Sequence, residues 1–408
     1  MTKNTSLVLK ETKKNDILSE ALRVNLQRRK AAKKPHLKEN TKINTSEIGD
    51  LYIGFMSGTS CDGVDASLVR TDGENNFTPL YNIHLPYPSS FKYELKKLCK
   101  QPLVPLAIEK KLTEYHVQAT QELLKLSKYS SNDIRGLGFH GQTIFHNSNE
   151  QLTWQIGNPH LLAQKTGINV IHDFRRRDIS LGGQGAPLVP IFHKLLMQAQ
   201  KLPVAIINIG GVANITYINQ DSLIGFDTGT GNALIDDAMN KYYNKKYDDK
   251  GEIASKGKID FSIISKVMNN DYFKQSYPKS LDRNAFEYVM DFFKSHDGAD
   301  IIATLTYITC AGIASSIKLL PAPLENIFVC GGGANNIQMI EWLKLALAQE
   351  GVNCGVGNIS EINNYDADYI ESQAFAYLAA RFCKNLPSAF ATTTGCAREN
   401  ICGCLVKY

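Results

Sequence analysis

The amino-acid sequence predicts an α/β protein, and three observations support that fold class. Strand-like apolar runs alternate with helix-like segments from residue 51 onward. Four of the strand-like runs end in turns of small residues, which read SGTSCDG, NIGGVAN, DTGTGN and CGGGANN. The hairpin at 51–69 is echoed at 204–218, where a β-rich run again leads through a glycine-rich turn into a second β-rich run. The echo indicates two related halves that are divided near residue 200.

The elements of the first half follow from local composition. Apolar runs flank the opening turn, so LYIGFM (51–56) and DASLVRT (65–71) are predicted strands. The segment EKKLTEYHVQATQELLKLSK (109–128) spaces its apolar residues as an amphipathic helix does. The segment IRGLGFHG (134–141) is a predicted strand that ends in a glycine turn.

The second half repeats this alternation. The segment LPVAIINIGGVANITYI (202–218) is a second glycine hairpin between β-rich runs. Two segments each combine a strand, a glycine turn and a helix, namely LIGFDTGTGNALIDDAMNKYY (223–243) and LENIFVCGGGANNIQMIEWLKLALAQ (324–349). The segment SQAFAYLAARFC (372–383) is the final predicted helix.

The bulk composition is that of an ordinary globular chain. It has 408 residues, of which 43% are hydrophobic and 21% are charged. No apolar run approaches the length of a membrane-spanning helix, and the polar, lysine-rich N-terminus lacks the apolar core of a signal peptide. Nine cysteines without a secretory signal suit reduced thiols. We therefore expect a cytoplasmic protein with no membrane partner.

Positive charge is concentrated in an N-terminal extension, residues 1–48. This segment holds 12 Lys and Arg against 5 Asp and Glu, whereas the remainder holds 33 against 35. The near-neutral remainder argues against a nucleic-acid partner, because such a partner requires a basic face. Within the extension, DILSEALRVNLQRRKAAKKP (16–35) has the composition of a basic helix that Pro35 ends. We expect a disordered or partly helical extension, and the alternative is an arm that contacts an anionic surface or partner.

The glycine turns are suited to binding a polyphosphate. The chain has no GxxxxGK motif followed by Ser or Thr, so it is not a P-loop nucleotidase. Glycines instead let the backbone approach a ligand, consecutive turn amides attract anions, and a following helix adds the positive end of its dipole. Crowded phosphate oxygens require a divalent cation such as Mg²⁺, which carboxylates and water commonly hold. Asp62, in the first turn, is the candidate metal ligand.

Asp227, in the motif GFDTGTGN, is the candidate catalytic carboxylate. It lies between the end of a predicted strand and a glycine turn, where a fixed carboxylate could act as a general base. The local pattern alone leaves an alternative open, in which Asp227 is an Asx-type turn residue or a helix cap.

Other polar residues predict a cleft for an anionic substrate. In IHDFRRRDISLGGQGAPLVPIFH (171–193), three adjacent arginines lie between Asp173 and Asp178, and Arg side chains bind carboxylates in a bidentate manner. The alternative is a set of structural ion pairs in a loop between domains. His140 and Gln155 each follow a strand-like run. The candidate substrate-binding residues are His140, Gln142, Gln155, Asp173, Arg175 and Arg176.

Seven motifs, in order along the chain, resemble the anhydro-N-acetylmuramic acid kinase family: GFMSGTSCDGVDASLV, HGQTIFH, WQIGNP, DFRRRDISLGGQGAPLVPIFH, NIGGVANIT, GFDTGTGN and YIESQAFAYLA. The chain departs from the family at Cys61, where Leu is usual, and at Thr230, where Pro is frequent. The resemblance begins at about residue 51 and implies the fold of sugar kinases, actin and Hsp70, in which two ribonuclease-H-like domains close around ATP. We accordingly expect domains at 49–200 and 201–408, with the C-terminal segment packing back on the first.

The resemblance also implies an activity and its residues. A homodimer would use ATP and Mg²⁺ to convert 1,6-anhydro-N-acetylmuramic acid into N-acetylmuramic acid 6-phosphate during peptidoglycan recycling. Asp227 matches the family's base, which takes a proton from the water that opens the anhydro bridge, and Glu371 resembles a second acid near that water. An arginine among 175–177 is a suitable partner for the lactyl carboxylate of the sugar. The implied ATP-binding residues are Gly58, Thr59, Ser60, Cys61, Asp62, Gly63, Val64, Asp65, Asn208, Gly210, Gly211, Asn214, Gly331, Gly332 and Gly333.

Two other functions remain open at this point. A kinase of an ordinary sugar hydroxyl on the same fold would aim its base at the substrate hydroxyl and not at water. A nucleotide-gated binding protein without catalysis would have no need of Asp227, so the presence of that carboxylate argues against it.

Overall fold

Two β-sheets form the framework of the protein. A computed structural model describes residues 48–58, 60–100, 106–148, 150–362 and 365–408. The predicted N-terminal extension and Thr59 therefore lie outside the described residues, apart from Ile48 at the edge of the extension. The strands are β1 (Asp50–Ser57), β2 (Gly63–Thr71), β3 (Phe77–Pro86), β4 (Ile134–Asn147), β5 (Leu152–Ile156), β6 (Val170–His172), β7 (Val204–Ile209), β8 (Val212–Ile218), β9 (Leu223–Thr230), β10 (Asn326–Cys330), β11 (Gly355–Asn358) and β12 (Cys404–Val406).

The two sheets have matching topologies. The first has the order β12-β6-β4-β1-β2-β3, with β5 paired to β4, and the second has the order β11-β10-β7-β8-β9. In the first sheet, β2 runs antiparallel to β1 and β3, whereas β4 is parallel to both β1 and β6. In the second, β8 runs antiparallel to β7 and β9, whereas β10 is parallel to both β7 and β11. This duplicated ribonuclease-H-like arrangement confirms the predicted fold class, and it makes the β1–β2 and β7–β8 hairpins equivalent.

Helices cover the sheets and supply the elements around the site. The α-helices are α1 (Ser89–Lys100), α2 (Leu106–Leu126), α3 (Pro159–Thr166), α4 (Arg176–Ser180), α5 (Pro190–Leu196), α6 (Ala233–Tyr243), α7 (Phe261–Met268), α8 (Gly298–Ile317), α9 (Ile337–Gln349), α10 (Ile370–Cys383) and α11 (Ala391–Thr394). Short 3₁₀ helices are found at Ser131–Asp133, Asp249–Gly251, Ala254–Lys256, Asp271–Lys274, Glu287–Phe292, Gly332–Asn335, Ile359–Glu361 and Ala367–Tyr369.

The strand sequences match their positions in the sheets. All six residues of β7 are buried, and its sequence VAIINI is the near-continuous apolar run expected of a strand covered on both faces. By contrast, β3 lies at the edge of the first sheet and leaves several of its ten residues exposed. The core therefore lies along the central strands and under the helices that cover them.

Helix α10 packs on the first sheet although it follows the last strand of the second sheet in the chain. Two glycines make this close approach possible. A Cβ atom on Gly54 of β1 would collide with the carbonyl oxygen of Ser372, and one on Gly138 of β4 would collide with that of Phe375. The first turn of α10, which carries Glu371, is thereby held directly against the first sheet.

Helix α8 is the most apolar helix of the second half. Contrary to the expectation that no apolar run approaches the length of a membrane-spanning helix, it is long and apolar enough to cross a membrane, but 83% of its most apolar window is buried inside the protein. Helices α6, α7 and α9 pack against it, as expected of a core helix. It is the only such helix in the part of the chain that the structure describes.

The chain leaves the first sheet after β6 and enters the second at β7, close to residue 200. Its C-terminal strand β12 then returns and pairs antiparallel with β6. Residues Glu47–Tyr408 form one compact unit that contains both sheets, so the boundary between 200 and 201 stays a prediction.

Candidate active site

Asp227 lies in β9 at an irregularity of the second sheet. Ala213 pairs with Gly229 while Asn214 pairs with Asp227, so Thr228 is an extra residue on β9. Such a bulge bends the strand and redirects the neighbouring side chains, and bulges are frequent beside active sites. The Asp227 side chain is nearly withdrawn from solvent, with 6% of the residue exposed.

The segment that follows α7 fixes the position of Asp227 by three hydrogen bonds. The Asp227 amide donates to the Lys279 carbonyl at 3.0 Å, and the Leu281 amide donates to Oδ2 of Asp227 at 2.8 Å. The hydroxyl of Tyr272 donates to the Asp227 carbonyl at 2.7 Å. Both the main chain and one carboxylate oxygen are therefore held in place.

Burial favours the protonated, uncharged form of the Asp227 carboxyl. Desolvation raises its pKa to about 7, although the Leu281 amide and the charges of Arg175 and Lys279 oppose the rise. A general base works best when its pKa lies near the operating pH, because it is then both sufficiently ionised and sufficiently basic. Asp227 therefore has the protonation properties of a base at neutral pH.

A second, half-buried carboxyl, Glu371, lies at the start of α10. Its Oε1 accepts a hydrogen bond from Nδ2 of Asn208 at 3.1 Å. Burial raises the pKa of Glu371, whereas the Asn208 hydrogen bond lowers it, the charge of Asp65 raises it and Arg175 lowers it. Asn208 pairs with Asn214, which pairs with Asp227, so the two acids lie at opposite ends of one row across the second sheet.

Arg175 is a half-buried cation of the site, and His140 orients it. Nε of Arg175 donates to Nε2 of His140 at 2.9 Å, and Nη1 donates to the Gly185 carbonyl at 2.6 Å. Nδ1 of His140 in turn donates to the Gly141 carbonyl at 2.8 Å, which makes Nε2 the acceptor. Burial and the adjacent guanidinium lower the pKa of His140 well below its usual value, so the imidazole stays neutral.

The guanidinium of Arg175 is electrostatically linked to both acids. Burial lowers its pKa, and the charges of Asp227 and Glu371 oppose that change. The reciprocal effect of Arg175 is to lower the pKa of each of the two carboxyls. One cation thus favours the ionised form of both candidate catalytic acids.

A cavity of about 450 Å³ adjoins these groups and is lined by elements of both sheets. Helix α1 and helix α6 meet at its wall, where Nζ of Lys96 lies 3.5 Å from Oδ1 of Asp237. Arg283 also pairs with Asp237, at 3.4 Å. The lining residues are Lys96, Thr143, Ile144, Phe145, His146, Arg175, Val212, Asp237, Asn240, Leu281, Asp282, Arg283, Asn284 and Glu287. The cavity therefore joins Arg175 to Leu281, whose amide holds the Asp227 carboxylate.

In each of three glycine turns, one glycine has open space where a Cβ atom would lie, so packing within the protein does not require a glycine there. Around Gly58, Gly210 and Gly332, a Cβ atom would find nothing nearer than about 3.7 Å. In contrast, a Cβ on Gly63 would lie 2.5 Å from the Leu85 carbonyl. The open glycines leave room for a ligand to approach the backbone, which is the property expected of phosphate-binding turns.

Comparison with known proteins identifies the family. The family model described as anhydro-N-acetylmuramic acid kinase matches residues 50–408. The chain belongs to this family. The anhydro-N-acetylmuramic acid kinase of Zymomonas mobilis is 39% identical over 360 residues, which is 85% of this chain and 96% of the relative. That of Rhodopseudomonas palustris is 38% identical over 368 residues, 87% of this chain and 98% of the relative. The match confirms the resemblance drawn from the seven motifs.

Among solved structures, the chain is similar to the activator of the 2-hydroxyisocaproyl-CoA dehydratase from Clostridium difficile with bound ADPNP, with a TM-score of 0.42. That protein is 12% identical and covers 82% of this chain and 96% of its own.

In this member of the kinase family, hydrogen bonds from neighbouring residues of the chain support the first glycine turn. Oγ of Ser57 donates to Oε1 of Gln142 at 2.6 Å, and Nε2 of Gln142 donates to the Gly58 carbonyl at 3.3 Å. The Cys61 amide also donates to the Gly58 carbonyl, at 3.0 Å, and Cys61 is buried at a φ of 53°. Gln142, a predicted substrate residue, thus supports the turn in this structure.

The acidic residues of the first hairpin differ in their surroundings. Asp62 is exposed and accepts from Oγ of Ser60 at 2.6 Å, whereas Asp65 lies 2.8 Å from Nδ1 of His84. Among the described residues, no group of three or more metal-ligating side chains is assembled that could hold an ion. A Mg²⁺ ion here would therefore be held mainly by phosphate oxygens and water, with Asp62 as the candidate carboxylate.

Most of the other predicted ATP-binding residues lie around the ends of the second sheet, and Val64 lies in the first. Gly210 and Gly211 form the β7–β8 turn, and their carbonyls accept from the amides of Asn232 and Gly231. Gly331 and Gly333 pack against Asn208 and Ile209, where neither could carry a Cβ. Asn214 has a buried Oδ1 without a hydrogen-bond partner among the described residues. Val64, in β2, is fully buried.

The remaining predicted substrate residues are not all brought to the cavity. Nε2 of Gln155 donates to the hydroxyl of Thr153 at 2.9 Å. Arg176 is half exposed and pairs with Asp173 at 3.5 Å. Of the three adjacent arginines, Arg175 is the one among the described cavity-lining residues.

Sequence reasoning missed the segment that holds Asp227. Tyr272, Lys279 and Leu281 lie about 50 positions along the chain from Asp227 and follow no glycine turn of the recurring type. Their only sequence signal is the polar run SYPKSLDRNAFE, which interrupts two apolar regions. Asp236 was also missed, although burial raises the pKa of this carboxyl to about 7 beside Arg283.

Proposed function

We propose that this protein converts 1,6-anhydro-N-acetylmuramic acid, ATP and water into N-acetylmuramic acid 6-phosphate and ADP. The oxygen of water bonds to the anomeric carbon while the bond from that carbon to O6 breaks. O6 then forms a bond to the γ-phosphorus as the bond from that phosphorus to ADP breaks. The proton released by water goes to Asp227. Family membership over residues 50–408 supports this reaction.

One observation carries the proposal: the buried Asp227 carboxyl, whose pKa burial raises to about 7, is held by the amide of Leu281, and Leu281 lines a cavity that also reaches the half-buried Arg175. A base is needed because water is a poor nucleophile at a sugar carbon until a proton is removed. A simple transfer to a free hydroxyl needs no water at all. The second acid, the half-buried Glu371, is proposed to orient the same water through its own carboxylate.

Arg175 is the proposed partner of the lactyl carboxylate. It is the arginine of the 175–177 run that lines the cavity, and a guanidinium forms short, strong bonds with carboxylates. His140 accepts from Nε of Arg175 and the Gly185 carbonyl accepts from Nη1, so Nη2 is the proposed donor to the substrate carboxylate. The influence of His140 on a substrate would therefore pass through Arg175. Gln155, Asp173 and Arg176 remain proposed contributors to the same recognition.

The nucleotide is proposed to lie between the equivalent hairpins. The open space at Gly58, Gly210 and Gly332 supports this position, because phosphates could approach three backbones without displacing side chains. Thr59 to Asp65, Asn208, Gly211 and Asn214 complete the proposed ATP site, with Gly331 to Gly333 toward the adenosine. Mg²⁺ would neutralise phosphate charge in this site, with Asp62 as its carboxylate ligand.

The proposed setting is the cytoplasmic recycling of peptidoglycan, by a homodimer. The substrate carries an intramolecular acetal, so an enzyme that cleaves glycan strands with formation of that bridge must supply it. A kinase of ordinary hexosamines is the alternative; it would use Asp227 as a base toward the substrate hydroxyl, and it would leave only the second acid, Glu371, without a role.

The product of the reaction tests the proposal. We expect purified protein with ATP and Mg²⁺ to form N-acetylmuramic acid 6-phosphate from the anhydro sugar, with the water oxygen at the anomeric position when H₂¹⁸O is used. Asp227→Asn should bind ATP and lose turnover. Phosphorylation of N-acetylglucosamine but not of the anhydro sugar would refute the proposed reaction, and near-normal turnover by Asp227→Asn would refute the base.

A further inference from the structure

Lys279 is a buried lysine that the proposed reaction does not use. Only 4% of the residue is exposed. Its Nζ donates to the Tyr272 carbonyl at 3.0 Å. The ammonium also lies 4.6 Å from the ring centroid of Tyr272 and 5.7 Å from that of Phe226, the residue before Asp227 in β9. The side chain is therefore held between the segment after α7 and the strand that carries the proposed base.

An ammonium in this environment needs compensation. Burial of an unpaired charge is costly, and one carbonyl with two aromatic faces replaces only part of its hydration. Burial lowers the pKa of Lys279 to about 8, and the charge of Asp227 raises it. The influence is mutual, because Lys279 lowers the pKa of Asp227. The carboxylate is thus part of what keeps the lysine charged.

We propose that Lys279 is a positioning residue for Asp227. The Lys279 carbonyl orients Asp227 through the backbone, and the Lys279 ammonium keeps the Asp227 carboxylate ionised when a substrate fills the cavity. The carbonyl of Lys279 accepts the Asp227 amide, and two residues later the Leu281 amide binds the carboxylate. Neither Lys279 nor Asp227 is among the described residues that line the cavity; the Lys279 ammonium donates to the Tyr272 carbonyl and its own carbonyl accepts the Asp227 amide, so it acts on the chemistry through Asp227. The inference rests on the proposed function, since it takes Asp227 as the base.

The other charges that face Asp227 do not replace Lys279. Arg175 lowers the pKa of Asp227 more than Lys279 does, and its guanidinium is held in place by His140 and Gly185. The remaining titratable group in contact is Tyr272, whose phenol donates to the Asp227 carbonyl and whose pKa is raised by burial and by that carboxylate. With a neutral residue at position 279, Arg175 therefore remains of the two cations that favour the ionised Asp227 carboxylate.

The pH dependence of turnover tests this role. In the wild-type enzyme, kcat/KM for the anhydro sugar at saturating ATP should rise with pH as Asp227 ionises. Lys279→Met removes the charge, which raises the pKa of Asp227, so the rising limb should move upward by roughly one pH unit. Below the limb, kcat/KM should then be about tenfold lower than in the wild type. Lys279→Arg keeps the charge and should return the limb to the wild-type position.

A structural role alone would give a different result. Partial unfolding or a displaced loop lowers kcat/KM at every pH and leaves the limb where it was. A limb of Lys279→Met that superimposes on that of the wild type would overturn the proposal, as would an equal displacement in Lys279→Arg. If Lys279→Met does not fold, Lys279→Gln provides the same comparison with a polar neutral side chain.

Failure of this inference is distinguishable from failure of the proposed function. If Asp227→Asn retains turnover, Asp227 is not the base and the role of Lys279 falls with it. If Asp227→Asn is inactive and the limb of Lys279→Met and of Lys279→Gln does not move, only the role of Lys279 is refuted.

Discussion

The substitution Asp227→Asn is expected to stabilise the fold above neutral pH while it abolishes turnover. The reason is that the folded protein holds the Asp227 carboxyl at a pKa of about 7 against an ordinary value of 3.8. Ionisation of a buried carboxyl is unfavourable, so a site that keeps such a group for catalysis sacrifices stability. An amide has the same shape and carries no such penalty, and its oxygen can still accept from the Leu281 amide.

The magnitude and its pH window follow from the two pKa values. A difference of about three pKa units corresponds to about 4 kcal/mol, since each unit is worth about 1.4 kcal/mol. Between pH 3.8 and about 7 the folded state binds more protons than the unfolded state, so wild-type stability falls as pH rises through this range. The advantage of Asp227→Asn should therefore be absent near pH 4, grow through neutrality and reach up to about 4 kcal/mol at pH 8.

Denaturant unfolding of both proteins at pH 4.5, 6, 7 and 8 measures this difference. Asp221→Asn is the matched control, because Asp221 is an exposed carboxylate in the turn before β9 and its variant should follow the wild type at each pH. A constant difference between Asp227→Asn and the wild type from pH 4.5 to 8 would show that burial does not destabilise the ionised carboxylate. The assignment of Asp227 as a tuned base would then lose its physical support.

Three further predictions, two of them with a matched control substitution, test other parts of the protein. Gly58→Ala should raise the KM for ATP without a change in melting temperature because its Cβ points into open space, whereas Gly63→Ala, 2.5 Å from a backbone carbonyl, should cost roughly 1–3 kcal/mol of stability. Arg175→Lys should lower kcat/KM for the anhydro sugar by at least about tenfold, and Arg176→Lys, on a half-exposed side chain, should leave it nearly unchanged. Gly54→Ala should destabilise the protein by about 3 kcal/mol or more, measured by urea unfolding, because helix α10 has no room to yield.

Much of the fold could be predicted because it is written in local patterns. The hairpin echo at 51–69 and 204–218 corresponds to the equivalent β1–β2 and β7–β8 pairs of two matching sheets. Helix α2, predicted at 109–128, is observed at Leu106–Leu126, and the difference lies in its ends, which depend on neighbours more than on periodicity. The return of β12 to the first sheet has no local signal, since three residues of strand carry no periodicity.

Local sequence pattern points to Asp227 beside a glycine turn and to Arg175 in a run of arginines, whereas Glu371 is expected only from the family resemblance. The pattern leaves open whether Asp227 is a base or a turn residue, and the resemblance favours the base. The two nitrogens of His140 could not be assigned from sequence, because one is occupied by Arg175 through a contact across 35 positions. Lys279 and Leu281 escaped for the same reason: their function arises from hydrogen bonds to a strand more than 50 residues away.

Glu371 shows why neither half of the chain would form this site alone. Its helix lies on the first sheet, where Gly54 and Gly138 allow contact between backbones. Its carboxylate accepts from Asn208, which belongs to the second sheet. The hydrogen bond therefore joins the two sheets at the end of the row that leads to Asp227. A movement that separated the sheets by more than about 1 Å would break this bond, because hydrogen bonds weaken steeply beyond about 3.5 Å. The acid pair consequently depends on the sheets being held together, as a reaction that must admit one water and exclude the rest requires.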